Sequence, residues 1–213
     1  KMNKITYLDG IRLHYALVAG ANNVIARQEY LNKINVFPVP DGDTGTNMAF
    51  TLTFILDATE KNQYTDTDKM LAFIADTSLD GARGNSGVIL AQFFQGLSDG
   101  SAGIVKMTPR DFSNASQLGY EYARSALAEP KEGTILTTLK DFSNALIELT
   151  NSHNFIDFEN LLKKVVKKTE ASVLNTPNLL PVLKKSNVVD AGAQGFLDLL
   201  NGISDFILNG KLK

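Results

Sequence analysis

The sequence predicts a single all-α domain, its helices packed as a bundle or a closed ring. Three observations predict it. Apolar residues recur at helical spacing along most of the chain, helix-start signals appear at several points, and no pair of alternating β-rich runs is joined by a hairpin signal. The 213 residues, 44% hydrophobic and 21% charged, supply enough apolar material for one sizeable core.

The elements follow in order. From Asp9 to Ile34, Ile11, Leu17, Val18, Ala21, Val24, Ile25 and Leu31 mark one long helix. A second is expected over about Gly45–Glu60, carrying Met48, Leu52, Ile55 and Leu56. A third fits 66–76, with Asp66 or Thr67 as its cap. A fourth begins near Asn85 and carries Val88 through Leu97. Thr108-Pro109-Arg110-Asp111 is a helix start, with a Thr cap, Pro in the first position and Asp in the first turn; this helix is expected to reach about Ala128. Gly133-Thr134 opens a sixth, to about Leu149. Asp157 caps a seventh, ending near Asn175, and an eighth runs from about Ala191 to Leu208. Short linkers are expected at 61–66, 99–107, 129–132, 151–156 and 176–189, and none reads as a domain boundary. Phe54, Phe93, Phe94, Phe196 and Phe206 are expected in the core.

Composition excludes several classes. A net charge of −2 gives no electrostatic footprint for nucleic acid. The absence of cysteine removes disulfides, thiolate metal sites and cysteine nucleophiles. No apolar run is long enough for a transmembrane helix, and no N-terminal stretch has the layout of a signal peptide, so a cytoplasmic location is expected. Lys1 before Met2 reads as a tag remnant, and Gly210–Lys213 directly after a helical pattern reads as a cut from a longer protein.

The most specialised stretch is 35–48, NVFPVPDGDTGTNM. Asp41 and Asp43 flank Gly42, which permits a sharp turn that brings two carboxylates together. Carboxylates that close repel unless a cation lies between them, and hard oxygen donors suit Mg²⁺. Asn35 is a third candidate oxygen donor if the segment folds back, and Pro38 and Pro40 lower the entropy cost of fixing it. The competing reading is structural: Asp43 or Thr44 simply caps the following helix. A calcium EF-hand does not fit, because Gly45, Thr46 and Leu52 fall where an oxygen ligand, the turn glycine and the terminal Glu belong.

Residues 78–90, SLDGARGNSGVIL, place Asn85 and Ser86 at a helix start among glycines. Such a start is a phosphate cradle or an ordinary capped turn, and it matches neither the P-loop nor the dinucleotide fingerprint. EGTIL at 132–136 and VVDAGAQG at 188–195 add two more small-residue helix starts, with Thr134 and Asp190 as caps. Converging at one end of a bundle, these starts would give anion donors beside a metal. Neither His14, within a helix, nor His153, in a loop, has partners in the sequence that suggest catalysis.

These motifs resemble the DhaL/Dak2 nucleotide-binding domain of dihydroxyacetone kinases. NVFPVPDGDTGTNM is most similar to the N-terminal ATP-binding domain of bacterial fatty acid kinases, and GARGNSG and VDAGAQG follow in the family's order. The resemblance covers nearly the whole chain. It implies a closed barrel of eight antiparallel amphipathic helices, with ATP or ADP held at one end through Mg²⁺. It implies Asp41 and Asp43 as metal ligands, with Asn35 standing near where many relatives carry a further Asp. It places Thr44, Thr46 and Asn47 along the nucleotide, Asn85, Ser86 and Gly87 at its phosphates, and Thr134, Asp190 and Gly192 near the nucleoside. The last motif reads DAGA where relatives often have DPGA, and 176–185 lacks the arginine they often carry. In fatty acid kinases a separate carrier protein presents the fatty acid and further domains complete the enzyme. A dihydroxyacetone kinase subunit and a non-catalytic lipid- or partner-binding barrel are the alternatives.

Overall fold

The computed structural model describes residues 4–210, so the tag-remnant reading at Lys1–Met2 and the last three residues lie outside them. Ten helices and no strand form among the described residues: α1 (Gly10–Ala26), α2 (Gln28–Lys33), α3 (Thr44–Glu60), α4 (Thr67–Gly81), α5 (Gly84–Asp99), α6 (Pro109–Ser125), α7 (Ile135–Ser152), α8 (Phe158–Leu179), α9 (Pro181–Ser186) and α10 (Ala191–Asn209). Eight are long and correspond to the eight expected. The extra two have six residues each.

Local chemistry sets most boundaries. Asp9 caps α1 by accepting the Arg12 N–H at 2.8 Å. Thr108 and Asp111 form a reciprocal capping box around Pro109. Asp157 caps α8 through the Asn160 N–H, at 2.8 Å.

Four expectations need correction. The first helix breaks at Arg27, whose guanidinium is held 2.8 Å from the buried Asp198 carboxylate of α10, and α2 then turns against α3. That cause is tertiary, so helical periodicity could not show it. The third helix runs on to Gly81 and leaves only Ala82–Arg83 as the turn before α5, which itself ends at Gly84 on its N-terminal side; Asp66 occupies the cap position without a side-chain bond. The expected linker 176–189 is largely helical, with Pro177 inside α8 and α9 starting at Pro181. Phe54 is 39% exposed and lies against Gly81, whereas Phe93, Phe94 and Phe196 are buried and Phe206 is partly so.

The long helices close into a ring: α1, α3, α4, α5, α6, α7, α8 and α10 each pack on the next, and α10 packs back on α1. The closing seam is tight because glycines sit on both sides of it. A Cβ on Gly20 would lie 2.6 Å from the Leu199 carbonyl, and one on Gly202 would lie 2.5 Å from the Ala19 carbonyl. Inside the ring, Phe93, Phe142 and Phe196 meet edge to face, with centroids 5.1–6.5 Å apart. Reversal at each short connection brings the N-termini of α3, α5, α7 and α10 to one end.

Candidate functional site

At that end lies a cleft of about 400 Å³. Its lining includes Thr44 of α3, Asn85 and Ser86 of α5, Thr134 at the start of α7, and Asp190 and Gly192 at the start of α10. Four helix N-termini therefore supply donors and positive dipole ends to one space.

The loop leading into α3 is organised by Asn35. This side chain is buried, and its Oδ1 accepts the N–H groups of Asp43 (3.1 Å) and Thr44 (3.2 Å). Its Nδ2 donates to the carbonyls of Phe37 (3.3 Å) and Val39 (3.4 Å). Gly42, with φ of +67°, makes the turn between them, and the Phe37–Pro38 peptide is cis. Both lone pairs of the Asn35 oxygen are thus taken by backbone donors. In this arrangement Asn35 is a clamp on the loop, not a free metal donor.

Asp43 holds the N-cap position of α3, yet its side chain makes no capping bond. Capping is done by Asn35 and by Asn32 of α2, whose Oδ1 accepts the Thr46 N–H at 2.9 Å. The carboxylates of Asp41 and Asp43 have no hydrogen-bond or ion-pair partner among the described residues; neither lines the cleft itself, but they lie in the loop between Pro38 and Thr44, which do. The capping explanation for Asp43 therefore does not hold. No group of three or more His, Cys, Asp or Glu is placed to hold a metal among the described residues. Two carboxylates suit Mg²⁺, which commonly takes one or two and completes its shell with water and phosphate oxygens.

Ser86 is 9% exposed, and its Oγ has no hydrogen-bond partner. A buried hydroxyl without a partner costs free energy, of order 1–3 kcal/mol. It lines the cleft in the first turn of α5, and the cap position, Arg83, provides no side-chain bond.

Asp190 is 5% exposed and caps α10 by accepting the Ala193 N–H at 3.0 Å. Burial pushes its carboxyl up to about 6, against the opposing pull of the Ala193, Ile135 and Gly192 N–H groups. Ile135 begins α7, so this carboxylate, bonded to the Ala193 N–H, also feels the start of the neighbouring helix. Thr134 caps α7 through the Leu136 N–H at 3.3 Å.

Not every expected residue reaches the cleft. Thr46 faces α2, its hydroxyl accepting from Asn32 Nδ2 at 2.9 Å. Asn47 is buried and closely packed against Gly84. Gly87 serves packing, since a Cβ there would lie 2.5 Å from Thr51 Oγ1. Other residues went unrecognised in the sequence: Phe37, Ile89, Leu127 and Ile135 form an apolar wall, and Glu129 and Lys131 add one charge of each sign. Phe37 lay inside the quoted motif; Leu127 falls in the stretch expected to be helical to about Ala128, but α6 ends at Ser125 and leaves it in the loop with Lys131. His14 is buried away from the cleft, 3.1 Å from Thr59 Oγ1, and burial lowers its pKa.

Comparisons with known proteins agree with this architecture. The family model for the DAK2 domain matches residues 38–205. Protein YloV of Bacillus subtilis is 39% identical over 198 residues, covering 93% of this chain and 35% of YloV. The Staphylococcus saprophyticus protein SSP1546 is 37% identical over 191 residues, covering 90% of this chain and 34% of its own length. The chain thus spans about a third of the length of these relatives. Among solved structures, the dihydroxyacetone kinase from C. freundii in complex with AMP-PNP and Mg²⁺ superposes with a TM-score of 0.66 at 16% identity, over 96% of this chain and 35% of that one. Its native form gives a TM-score of 0.68 at 15% identity. At that identity the likeness establishes a shared fold.

Proposed function

The chain belongs to the DAK2 domain family, and from that premise we propose that it is the Mg·ATP-binding domain of a kinase, one part of a longer multidomain enzyme. The observation that carries this reading is Ser86: a buried, unpartnered hydroxyl in a cleft where four helix starts converge. The C. freundii kinase, which shares the fold, was crystallised with AMP-PNP and Mg²⁺.

In this reading Ser86 Oγ and the free N–H groups of the first turn of α5 donate to phosphate oxygens. Asp41 and Asp43 would hold Mg²⁺, which when bound neutralises phosphate charge. The wall of Phe37, Ile89, Leu127 and Ile135 excludes water and receives the nucleoside, and Glu129 and Lys131 add one charge of each sign. Asp190 acts by position, capping α10 beside the start of α7.

We assign the acceptor to the fatty-acid class, on the likeness of the NVFPVPDGDTGTNM segment to that branch of the family. A carrier-bound fatty acid would attack the γ-phosphorus through its carboxylate oxygen, the bond to the β–γ bridging oxygen would break, and ADP would leave. A carboxylate is already ionised near neutral pH, so no general base is required. That agrees with a cleft that contains no histidine among its lining residues. The barrel interior holds an apolar void of only about 90 Å³, well under the roughly 300–1,000 Å³ of ordinary ligand pockets, which disfavours an internal lipid site.

The test is a product assay. The full-length protein, given Mg·ATP and a fatty-acid-loaded carrier, is expected to form acyl phosphate that hydroxylamine traps as a hydroxamate. Dihydroxyacetone phosphate formed instead, with the ketone's own binding partner supplied, would replace the fatty-acid assignment with the ketone one.

A further inference from the structure

A second cleft, of about 710 Å³, opens where α6 starts and α7 ends. Thr134 at the start of α7 lines the first cleft, and Thr150 near its end lines this one. At 18 residues α7 separates them by roughly 27 Å.

Lys4, Lys106, Arg110 and His153 line the second cleft, and Lys164 Nζ reaches its rim, 3.5 Å from His153 Nε2. Three neighbouring carboxylates are held by backbone N–H groups; they keep their charge, but only Asp157 pairs with one of these cations. Asp157 is buried, accepts the Asn160 N–H and pairs with Lys4 at 3.5 Å. Glu159 accepts the Ile5 N–H at 3.0 Å, and Asp111 accepts the Thr108 N–H at 3.0 Å. Arg110 donates only to the neutral oxygens of Asn151 and Thr150, and Lys106 lies 4.7 Å from the centroid of the Tyr7 ring. Lys106, Arg110 and Lys164 have no carboxylate within ion-pair distance among the described residues. Lys163, Lys167 and Lys168 of the same helix as Lys164, α8, are also exposed. In a chain of net charge −2, this is a strong local segregation of charge.

Phe155 projects from the loop between α7 and α8 at the mouth of this cleft and is 99% exposed. Tyr7, beside it, is 41% exposed. A fully exposed phenylalanine contributes nothing to the core and is free to enter an apolar phase; with Tyr7 beside it and cations around it, it makes one amphipathic patch.

We propose that this end of the molecule docks on an anionic lipid surface. Phe155 enters the boundary between head groups and acyl chains, and the surrounding cations face lipid phosphates. A projecting ring among dispersed cations suits a bilayer, which needs no shaped pocket. Docked in this way, the nucleotide cleft faces away from the membrane, open to solvent.

The test is co-sedimentation of the 213-residue chain with phosphatidylcholine vesicles, with and without phosphatidylglycerol. Association is expected only with the anionic vesicles and is expected to fall at high salt. F155S should weaken partitioning about tenfold or more through lost apolar burial. K106Q and K164Q should each weaken it about fivefold. All three side chains are at the surface, so thermal unfolding of the variants should match wild type and separate lost docking from lost fold. A folded chain that ignores phosphatidylglycerol vesicles overturns the proposal, as does association that F155S leaves unchanged. Binding to polyglutamate with vesicles left free would also overturn it, and would assign the surface to an acidic protein partner.

Discussion

Ser86 lines the cleft, Asn35 holds the loop beside it, and the two do opposite things. The Ser86 hydroxyl is buried without a partner, so the folded chain carries its desolvation cost. Ser86→Ala should therefore leave stability unchanged or raise it by up to about 1 kcal/mol, while nucleotide affinity falls about tenfold or more through a lost charge-assisted hydrogen bond. Melting curves paired with calorimetric titration would check both halves. A stability loss with unchanged affinity would make Ser86 an ordinary structural serine. Asn35 satisfies two backbone donors and two carbonyls. Asn35→Ala should destabilise the chain by about 1–3 kcal/mol with no metal present. If Asn35 acted only as a ligand, the variant would melt like wild type and lose only Mg²⁺-dependent binding. The sequence made both residues conspicuous but not their tasks. A one-dimensional pattern shows that an amide lies near a turn, not which backbone groups its two ends will meet.

At the level of elements, the helix starts were legible where the side chain that caps belongs to the helix it caps. Thr108, Thr134, Asp157 and Asp190 all cap as their positions suggest. The start of α3 agrees to within one residue, Thr44 against about Gly45, but its caps do not show in the sequence because they arrive from α2 and from the loop before it. Asp190 caps one helix beside the start of another and leaves a measurable trace. Its folded carboxyl lies at about 6, above the ordinary 3.8, so folding favours the protonated form. The stability that protonation gives is complete below about pH 4 and is lost as pH rises through about 6. Asp190→Asn retains an oxygen for the Ala193 N–H and removes the titration. The stability of the variant relative to wild type should grow by about 3 kcal/mol over that interval, from the roughly two-unit shift. Denaturant unfolding at several pH values checks this; parallel pH profiles would contradict it.

For the whole molecule, the all-α class and the eight long helices could be read from apolar spacing. Spacing left bundle and ring both open; the closed barrel came from the family resemblance, and its closure depends on Gly20 of α1 meeting Gly202 of α10 far along the chain. The same closure brings four helix starts together at one end and gathers unpaired cations around Phe155 at the other. Family membership follows from the match over residues 38–205, and the proposed chemistry rests on the end where the four helices start. The direct test of that chemistry is thermal unfolding with ATP, with Mg²⁺ and with both, on wild type and on the D41A/D43A double variant. At ligand near a hundredfold above Kd, linkage gives about 2.7 kcal/mol of added stability, or a rise of roughly 5–10 °C in Tm. The account predicts a rise that requires ATP and Mg²⁺ together and disappears in the folded double variant. A wild type that stays folded and shows no shift at saturating Mg·ATP, or a double variant that shifts as much as wild type, would contradict it.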